Sequence, residues 1–308
     1  MESIKVFAPA TVANVACGFD ILGFAINEPG DEVLVRLSKE PGVRITKIEG
    51  DNGKLPLNAE QNTAGVSALK FLEFINSKQG VEIEIKKKMP LGSGLGSSAA
   101  SSVAGIVAIN ELMGRPFEKK DLLQFAIEGE RIACGSAHAD NAAPALLGGF
   151  VIIRSYKPLD VIKINTPENL FATIIHPHIE IKTSDARKIL KIDIPFSDAI
   201  IQWGNVAGLV AGLMSSDYAL IGRSLNDVIV EPIRSILIPG FVESKKAATD
   251  AGALGFSISG SGPSLFALSN SEEIAKNVGI AVEEVFHSLK IECEVYISKI
   301  NQDGPKIL

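Results

Sequence analysis

Cysteine, aromatic residues and long apolar runs are all scarce in this chain. Its three cysteines, Cys17, Cys134 and Cys293, are far apart, odd in number and without CxxC spacing. That argues against a disulfide framework or a zinc site. Phe, Trp and Tyr make up 6% of the residues, and the densest basic run, Lys86-Lys87-Lys88, is three residues long. Neither a base-stacking platform nor a nucleic-acid surface is expected from that composition. No apolar run approaches the roughly 18 residues of a membrane helix. The opening MESIKVFAPAT lacks the basic start and apolar core of a signal peptide and reads as a strand. These absences predict a cytoplasmic protein in a reducing compartment, with no nucleic-acid or membrane partner.

What is present is an ordinary globular profile: 308 residues, 46% hydrophobic, 21% charged, with a net charge of -6. That length supports one large or two medium domains. Strands are expected over 4–8, 21–27, 32–37 and 43–48, from β-branched and alternating patterns. Residues 62–76 have helical spacing, with Val66, Leu69, Leu72 and Phe74 near one face. Val81, Ile83 and Ile85 alternate with Glu82, Glu84 and Lys86, which predicts a strand with one wet face. Helices follow over 98–113 and 118–130, then a strand over 148–154. A junction is expected near Tyr156-Lys157-Pro158-Leu159, giving domains 1–157 and 158–308. Beyond it the pattern predicts strands near Val161 and Ala172, helices over 184–190, 199–214 and 240–251, and a strand–turn–strand over 255–268. A helix over 272–289 and a strand over 292–297 close the chain. The mixed order reads as α+β in two halves.

The stretch PLGSGLGSSAAS, Pro90 to Ser101, crowds three glycines and several serines between a charged strand and a helix of small residues. Helix N-termini carry unpaired N–H groups and bind anions. Glycines let backbone come within hydrogen-bonding distance of phosphate oxygens, and serine hydroxyls can cap the helix, contact a phosphate or ligate Mg²⁺. A Walker loop is excluded, because no lysine follows Gly96. Gly94-x-Gly96-x-x-Ala99 matches a dinucleotide fingerprint loosely, but a second helix follows where a strand with an acidic tip is needed. A phosphate cradle and a plain tight turn into a capped core helix both remain open on this stretch alone.

Five further segments bear on that choice. In PATVANVACGFDILG, Pro9 to Gly23, Asn14 and Asp20 sit in an apparent short loop, where each is also an ordinary turn-former. Cys17 beside them has no activating neighbour and reads as a small filler. The segment from Glu128 to Phe150 gathers Glu130, His138, Asp140 and Asn141, broken by Gly135. It could supply the carboxylate that holds phosphate-bound Mg²⁺, or merely a structural histidine and a cap for a helix starting at Ala142. KTSDARKIL, Lys182 to Leu190, and EPIRSILIPGF, Glu231 to Phe241, each place one arginine, Arg187 or Arg234, beside helix-forming sequence. Arginine suits paired contacts with carboxylate or phosphate, although a surface arginine is the usual case. GFSISGSGPSLFAL, Gly255 to Leu268, is a second Gly/Ser turn, explicable by turn chemistry alone.

Taken together and in order, these segments resemble the GHMP small-molecule kinases. PLGSGLGSSAAS resembles the family's ATP loop and GFSISGSGPSLFAL its third motif. The homoserine branch is indicated by PATVANVACGFDILG, HADNAAPALLGG, TSDAR and EPIRSILIPGF; together the motifs span residues 9 to 268. Two departures concern loop shape. Val15-Ala16-Cys17 stands where Leu-Gly-x is more usual, and no proline follows Leu190.

The resemblance implies a two-domain α+β fold, with the ATP loop on a left-handed β-α-β crossover and a ferredoxin-like second half. Pattern alone would not predict that handedness, since about 98% of crossovers are right-handed. It implies ATP and Mg²⁺ as cofactors, L-homoserine as substrate and a homodimer. Nucleotide contacts would come from Asn62 and from Pro90, Leu91, Gly92, Ser93, Gly94, Leu95, Gly96, Ser97, Ser98, Ala99, Ala100 and Ser101. Ser98 and Glu130 would ligate the metal. Arg187 and Arg234 would take the substrate carboxylate, and Asp20 its ammonium, supported by Asn14 and His138, with Gly260 near the substrate. Thr183 would lie near the γ-phosphate. Asp140 would act as base or as an electrostatic or structural group, and Asn141 would position the hydroxyl. Alternatives are a family member acting on mevalonate, shikimate or a sugar, a catalytically silent nucleotide-binding relative, and a dinucleotide oxidoreductase.

Overall fold

The computed structural model describes residues 3–134, 138–181, 183–191 and 193–308. Gly135 and Lys182, named above within motifs, lie outside them. Two long strands open the chain, β1 (Ser3–Val15) and β2 (Gly18–Ser38), followed by β3 (Val43–Glu49), α1 (Thr63–Phe74) and β4 (Gly80–Lys86). Then come α2 (Ser97–Leu112), α3 (Leu123–Cys134), α4 (Ala139–Leu147) and the hairpin β5 (Phe150–Tyr156) and β6 (Leu159–Ile164). These strands, joined by β11 (Lys306–Ile307), form a seven-stranded sheet with the path β11-β1-β2-β4-β3, β5 pairing β2 and β6. β3 and β4 pair in parallel across α1, and β4 leads through Pro90–Gly96 into α2.

The second half runs β7 (Phe171–Pro177), α5 (Thr183–Lys188), α6 (Phe196–Ser215), α7 (Tyr218–Ser224), α8 (Glu231–Arg234), α9 (Phe241–Asp250), β8 (Gly255–Ile258), β9 (Leu265–Ser269), α10 (Glu272–Ser288) and β10 (Cys293–Lys299). Its antiparallel sheet has the order β10-β7-β9-β8. With helices after the first and third strands, that is the ferredoxin-like succession expected from the resemblance.

Local chemistry explains the elements near the site. The alternation in β4 puts Val81, Ile83 and Ile85 in the core. Asn62 caps α1, its side chain accepting from the Ala64 N–H at 3.1 Å. α2 is built of small and apolar residues on every side, so it runs buried between α1, α3, α4 and the β1–β2 ribbon. Phe24 of β2 stacks on Phe150 of β5 at 4.5 Å and meets Phe266 of β9 edge-on at 5.8 Å. One aromatic cluster therefore spans both sheets.

Several expectations change. PATVANVACGFDILG is a hairpin tip between two long strands, not a short loop. Register shifts at Pro9/Thr11 and Ala13/Val15 bend the ribbon, and Asn14 and Asp20 take left-handed φ of 56° and 59°. The helix expected over 118–130 starts as a 3₁₀ turn, Lys119–Leu122, and becomes α3 only at Leu123. Phe71 fills the core while Phe74, one helical step round, is 59% exposed. Lys157-Pro158 forms the turn between β5 and β6, so both strands lie in the first sheet and the chain passes to the second after Ile164.

Candidate active site

A cavity of about 430 Å³ lies between the glycine-rich loop, the β1–β2 hairpin tip, α4, and the α5, α8 and β8–β9 segments of the second half. The structure brings nearly all the residues singled out above to its wall: Asn14, Asp20, Asn62, Leu91 to Ser98, Ser101, Glu130, His138, Asp140, Asn141, Thr183, Arg187, Arg234 and Gly260. Pro90 is not on that wall, and Ala99 and Ala100 are fully buried inside α2, facing the core.

The loop earns its shape from three left-handed glycines, Gly92, Gly94 and Gly96, with φ of 70°, 81° and 69°. A Cβ on Gly96 would sit 2.1 Å from the Thr11 hydroxyl and 2.7 Å from the Asn141 amide oxygen. The second half clamps the loop: the Ser264 N–H donates to the Ser93 carbonyl at 3.1 Å, and the Ser259 hydroxyl to the Gly94 carbonyl at 2.8 Å. The Thr11 N–H holds the Leu95 carbonyl at 3.0 Å. At the mouth of α2, the Ser98 hydroxyl donates to Glu130 Oε2 at 3.1 Å. Glu130 Oε1 is buried with no hydrogen-bond partner. Burial, with the charge of Asp140 adding, pushes the Glu130 carboxyl up to about 7, against the Ser98 hydrogen bond and the Lys87 charge.

The other end of the cavity is a charge cluster. Arg187 Nη2 pairs with Asp20 Oδ2 at 2.5 Å, and Arg187 Nη1 donates to His138 Nε2 at 2.6 Å. His138 Nδ1 faces Asp20 at 3.6 Å. Burial above all lowers the affinity of His138 for a proton, which suits a neutral ring accepting from the guanidinium. Asn14 is a strut: its amide donates to the Gly260 carbonyl at 2.9 Å and its oxygen accepts from the Asp20 N–H at 2.8 Å. Arg234 is buried, donating to the Ala186 and Gly260 carbonyls at 3.1 and 3.0 Å.

Helix α4 begins at Ala139, so Asp140 and Asn141 lie in its first turn rather than capping a helix at Ala142. Burial, and then the charge of Asp20, push the Asp140 carboxyl up to about 7. The Asn141 amide oxygen accepts from the Thr11 hydroxyl at 2.7 Å. Thr183 meets Ser261, hydroxyl to hydroxyl, at 3.1 Å. The Cys17 thiol is buried and pushed up to about 12, chiefly by burial, so it is inert as a nucleophile.

Sequence reasoning missed four residues. Lys87 lines the cavity and is ion-paired to Asp31 beneath the loop; the alternation 81, 83, 85, 87 already placed it on the buried face. Tyr156 ties the hairpin to α4, donating to the Asp20 carbonyl at 3.1 Å and accepting from the Ala139 N–H at 3.4 Å. Phe19 lies against Arg187 and Arg234, and its number next to Asp20 was the available signal.

A glycine cradle at a helix mouth, a buried carboxylate beside it and a cluster of opposite charges across the cavity define a small-molecule phosphotransferase. The comparisons agree. Residues 62–149 match the GHMP kinases N terminal domain and residues 209–288 the GHMP kinases C terminal domain. The chain belongs to the GHMP kinase family. Among its full-length relatives, a homoserine kinase of Chlorobium phaeovibrioides is 57% identical, covering all of both chains. A homoserine kinase of Xylella fastidiosa is 38% identical over 99% of this chain and 94% of the relative. The crystal structure of homoserine kinase from Cytophaga hutchinsonii superposes with a TM-score of 0.98 at 64% identity, covering 100% and 98% of the two chains. L. major mevalonate kinase shares the fold, with a TM-score of 0.72 at 17% identity over 96% of each chain.

Proposed function

We propose that this chain transfers the γ-phosphoryl group of ATP to the side-chain hydroxyl of L-homoserine, giving ADP and O-phospho-L-homoserine. The new bond joins the homoserine oxygen to γ-phosphorus, the bond to the β-phosphate bridging oxygen breaks, and the hydroxyl proton is released. The observation that carries the substrate choice is the Asp20–Arg187 pair with Arg234 beside it. A zwitterion supplies a carboxylate to the arginines and an ammonium to Asp20. Mevalonate offers the arginines a carboxylate but has no ammonium to give Asp20, so it forgoes that charge-assisted contact, worth about 1.5–3 kcal/mol.

The backbone of Gly92–Ser98 holds the polyphosphate, with Asn62 on the nucleotide side and Thr183 toward the γ-phosphate. Mg²⁺ fits beside Ser98 and Glu130, because Glu130 Oε1 is a buried oxygen with no partner and a hydroxyl lies next to it. When bound there, the ion neutralises charge on the transferring phosphoryl group. Asn141, its amide oxygen held by Thr11, presents its NH₂ to the hydroxyl. Asp140 contributes electrostatics and structure; a loose transition state makes little demand on a base. Asn14 holds the Asp20 backbone and the Gly260 carbonyl in register.

A coupled ADP-release assay over homoserine, mevalonate, shikimate and galactose tests the reading. Turnover with homoserine is expected. Turnover with another of these alcohols and none with homoserine would overturn it.

The protein also forms a twofold dimer through α6. That helix has a single charged residue, Asp198, among its 20. Phe196, Ile200, Trp203 and Met214 recur on its exposed side, and a large exposed apolar helix face is normally covered. Trp203→Glu should then convert a dimer to a monomer by light scattering. A wild type that is monomeric at micromolar concentration contradicts this.

A further inference from the structure

Arg234 is a buried guanidinium that donates to the neutral carbonyls of Ala186 and Gly260. Among the described residues no carboxylate lies within ion-pair distance of it. Arg187, a second guanidinium, is near enough that its charge, after burial, disfavours the protonated form of Arg234. Two like charges in a partly desolvated site repel, and something must offset that repulsion if both are to face one ligand.

The group that both guanidiniums lie over is Phe19. Its ring centroid is 4.9 Å from Arg234 Cζ and 5.8 Å from Arg187 Cζ. Both lie within the range at which an aromatic face attracts a cation. Phe19 is followed directly by Asp20, whose carboxylate pairs with Arg187. Asp20 itself is held in a left-handed turn by Asn14. One dipeptide at the hairpin tip therefore presents a ring face to both guanidiniums and a carboxylate to one.

We propose that Phe19 is a positioning residue for the acceptor substrate: its π face holds the Arg187 and Arg234 guanidiniums side by side so that both meet a single carboxylate. This rests on the reading that these arginines bind the homoserine carboxylate. The mechanism requires the ring's quadrupole, not only its bulk. A leucine of similar apolar character does not replace it, and tryptophan, the strongest cation-binding ring, does.

The test is a series of enzymes carrying mono-, di- and trifluorinated phenylalanine at position 19, which drains the ring's negative face while keeping its shape. The KM for homoserine should rise stepwise along the series, by about 5- to 30-fold in total. The KM for ATP should move less than about twofold. Phe19→Leu should match the end of the series and Phe19→Trp its beginning. If KM is flat across the series while Arg187→Gln and Arg234→Gln each raise it, the inference about Phe19 fails and the carboxylate reading stands. If neither arginine variant raises the KM for homoserine, the carboxylate reading itself fails.

Discussion

Lys87 Nζ lies 2.6 Å from Asp31 Oδ2, with side chains 2% and 0% exposed, directly beneath the first turn of α2. Lys87 also donates to the Ser97 carbonyl and the Ser101 hydroxyl, each at 2.8 Å. Asp31 accepts from the Ser97 hydroxyl at 2.7 Å and from the Lys88 and Met89 N–H groups at 2.8 and 3.2 Å. The pair thus fixes both ends of the glycine-rich loop to the sheet. Removing one partner leaves a buried charge uncompensated. Lys87→Met should lower unfolding free energy by about 3–5 kcal/mol in chemical denaturation. A change under about 1 kcal/mol would show that the pair does not anchor the loop.

The three loop glycines are not equivalent. At Gly96 a Cβ collides with the Thr11 hydroxyl and the Asn141 amide oxygen, which hydrogen-bond each other. At Gly92 a Cβ meets nothing within 4 Å, so only the left-handed backbone resists substitution. That costs about 1–2 kcal/mol. Gly96→Ala should therefore abolish measurable turnover, and Gly92→Ala should retain it with weakened ATP binding. Steady-state kinetics of the two variants would reverse the argument if their order were inverted.

Asp140 provides a pH test with a defined sign. Its carboxyl is raised from 3.8 to about 7 in the folded state, so folding favours its protonated form. The stabilisation is complete below about pH 4 and is lost as pH rises through about 7. Asp140→Asn has no such group. Between pH 4 and 8 the wild type should lose roughly 4 kcal/mol of stability relative to the variant, read from denaturation midpoints across that range. Parallel pH curves would contradict it. In catalysis the same variant should cost less than about 10³-fold in kcat, whereas a general base lost entirely accounts for up to about 10⁴-fold.

The family and the loop were legible because their chemistry is local. Gly92, Gly94 and Gly96 announce left-handed backbone before a helix, and the alternation of Val81, Ile83 and Ile85 fixes the strand before it. The hairpin tip was misread because Pro9, Asn14, Gly18 and Asp20 are turn-formers by type. Here they are accommodated as bulges and left-handed residues inside two long strands. The pairing of Asp20 with Arg187 joins residues 167 positions apart and has no local signature. The exposed side of α6 was likewise hidden, since an apolar helix reads as core until the chain around it is folded.

The central claim is that the acceptor end of the cavity is charged for a zwitterion. Initial rates of ADP release with L-homoserine, with 4-hydroxybutyrate, which lacks the ammonium, and with 3-amino-1-propanol, which lacks the carboxylate, test it directly. Each missing charge should lower kcat/KM about 10- to 100-fold, the loss of a charge-assisted hydrogen bond of about 1.5–3 kcal/mol. Equal kcat/KM for homoserine and either analogue would contradict the account.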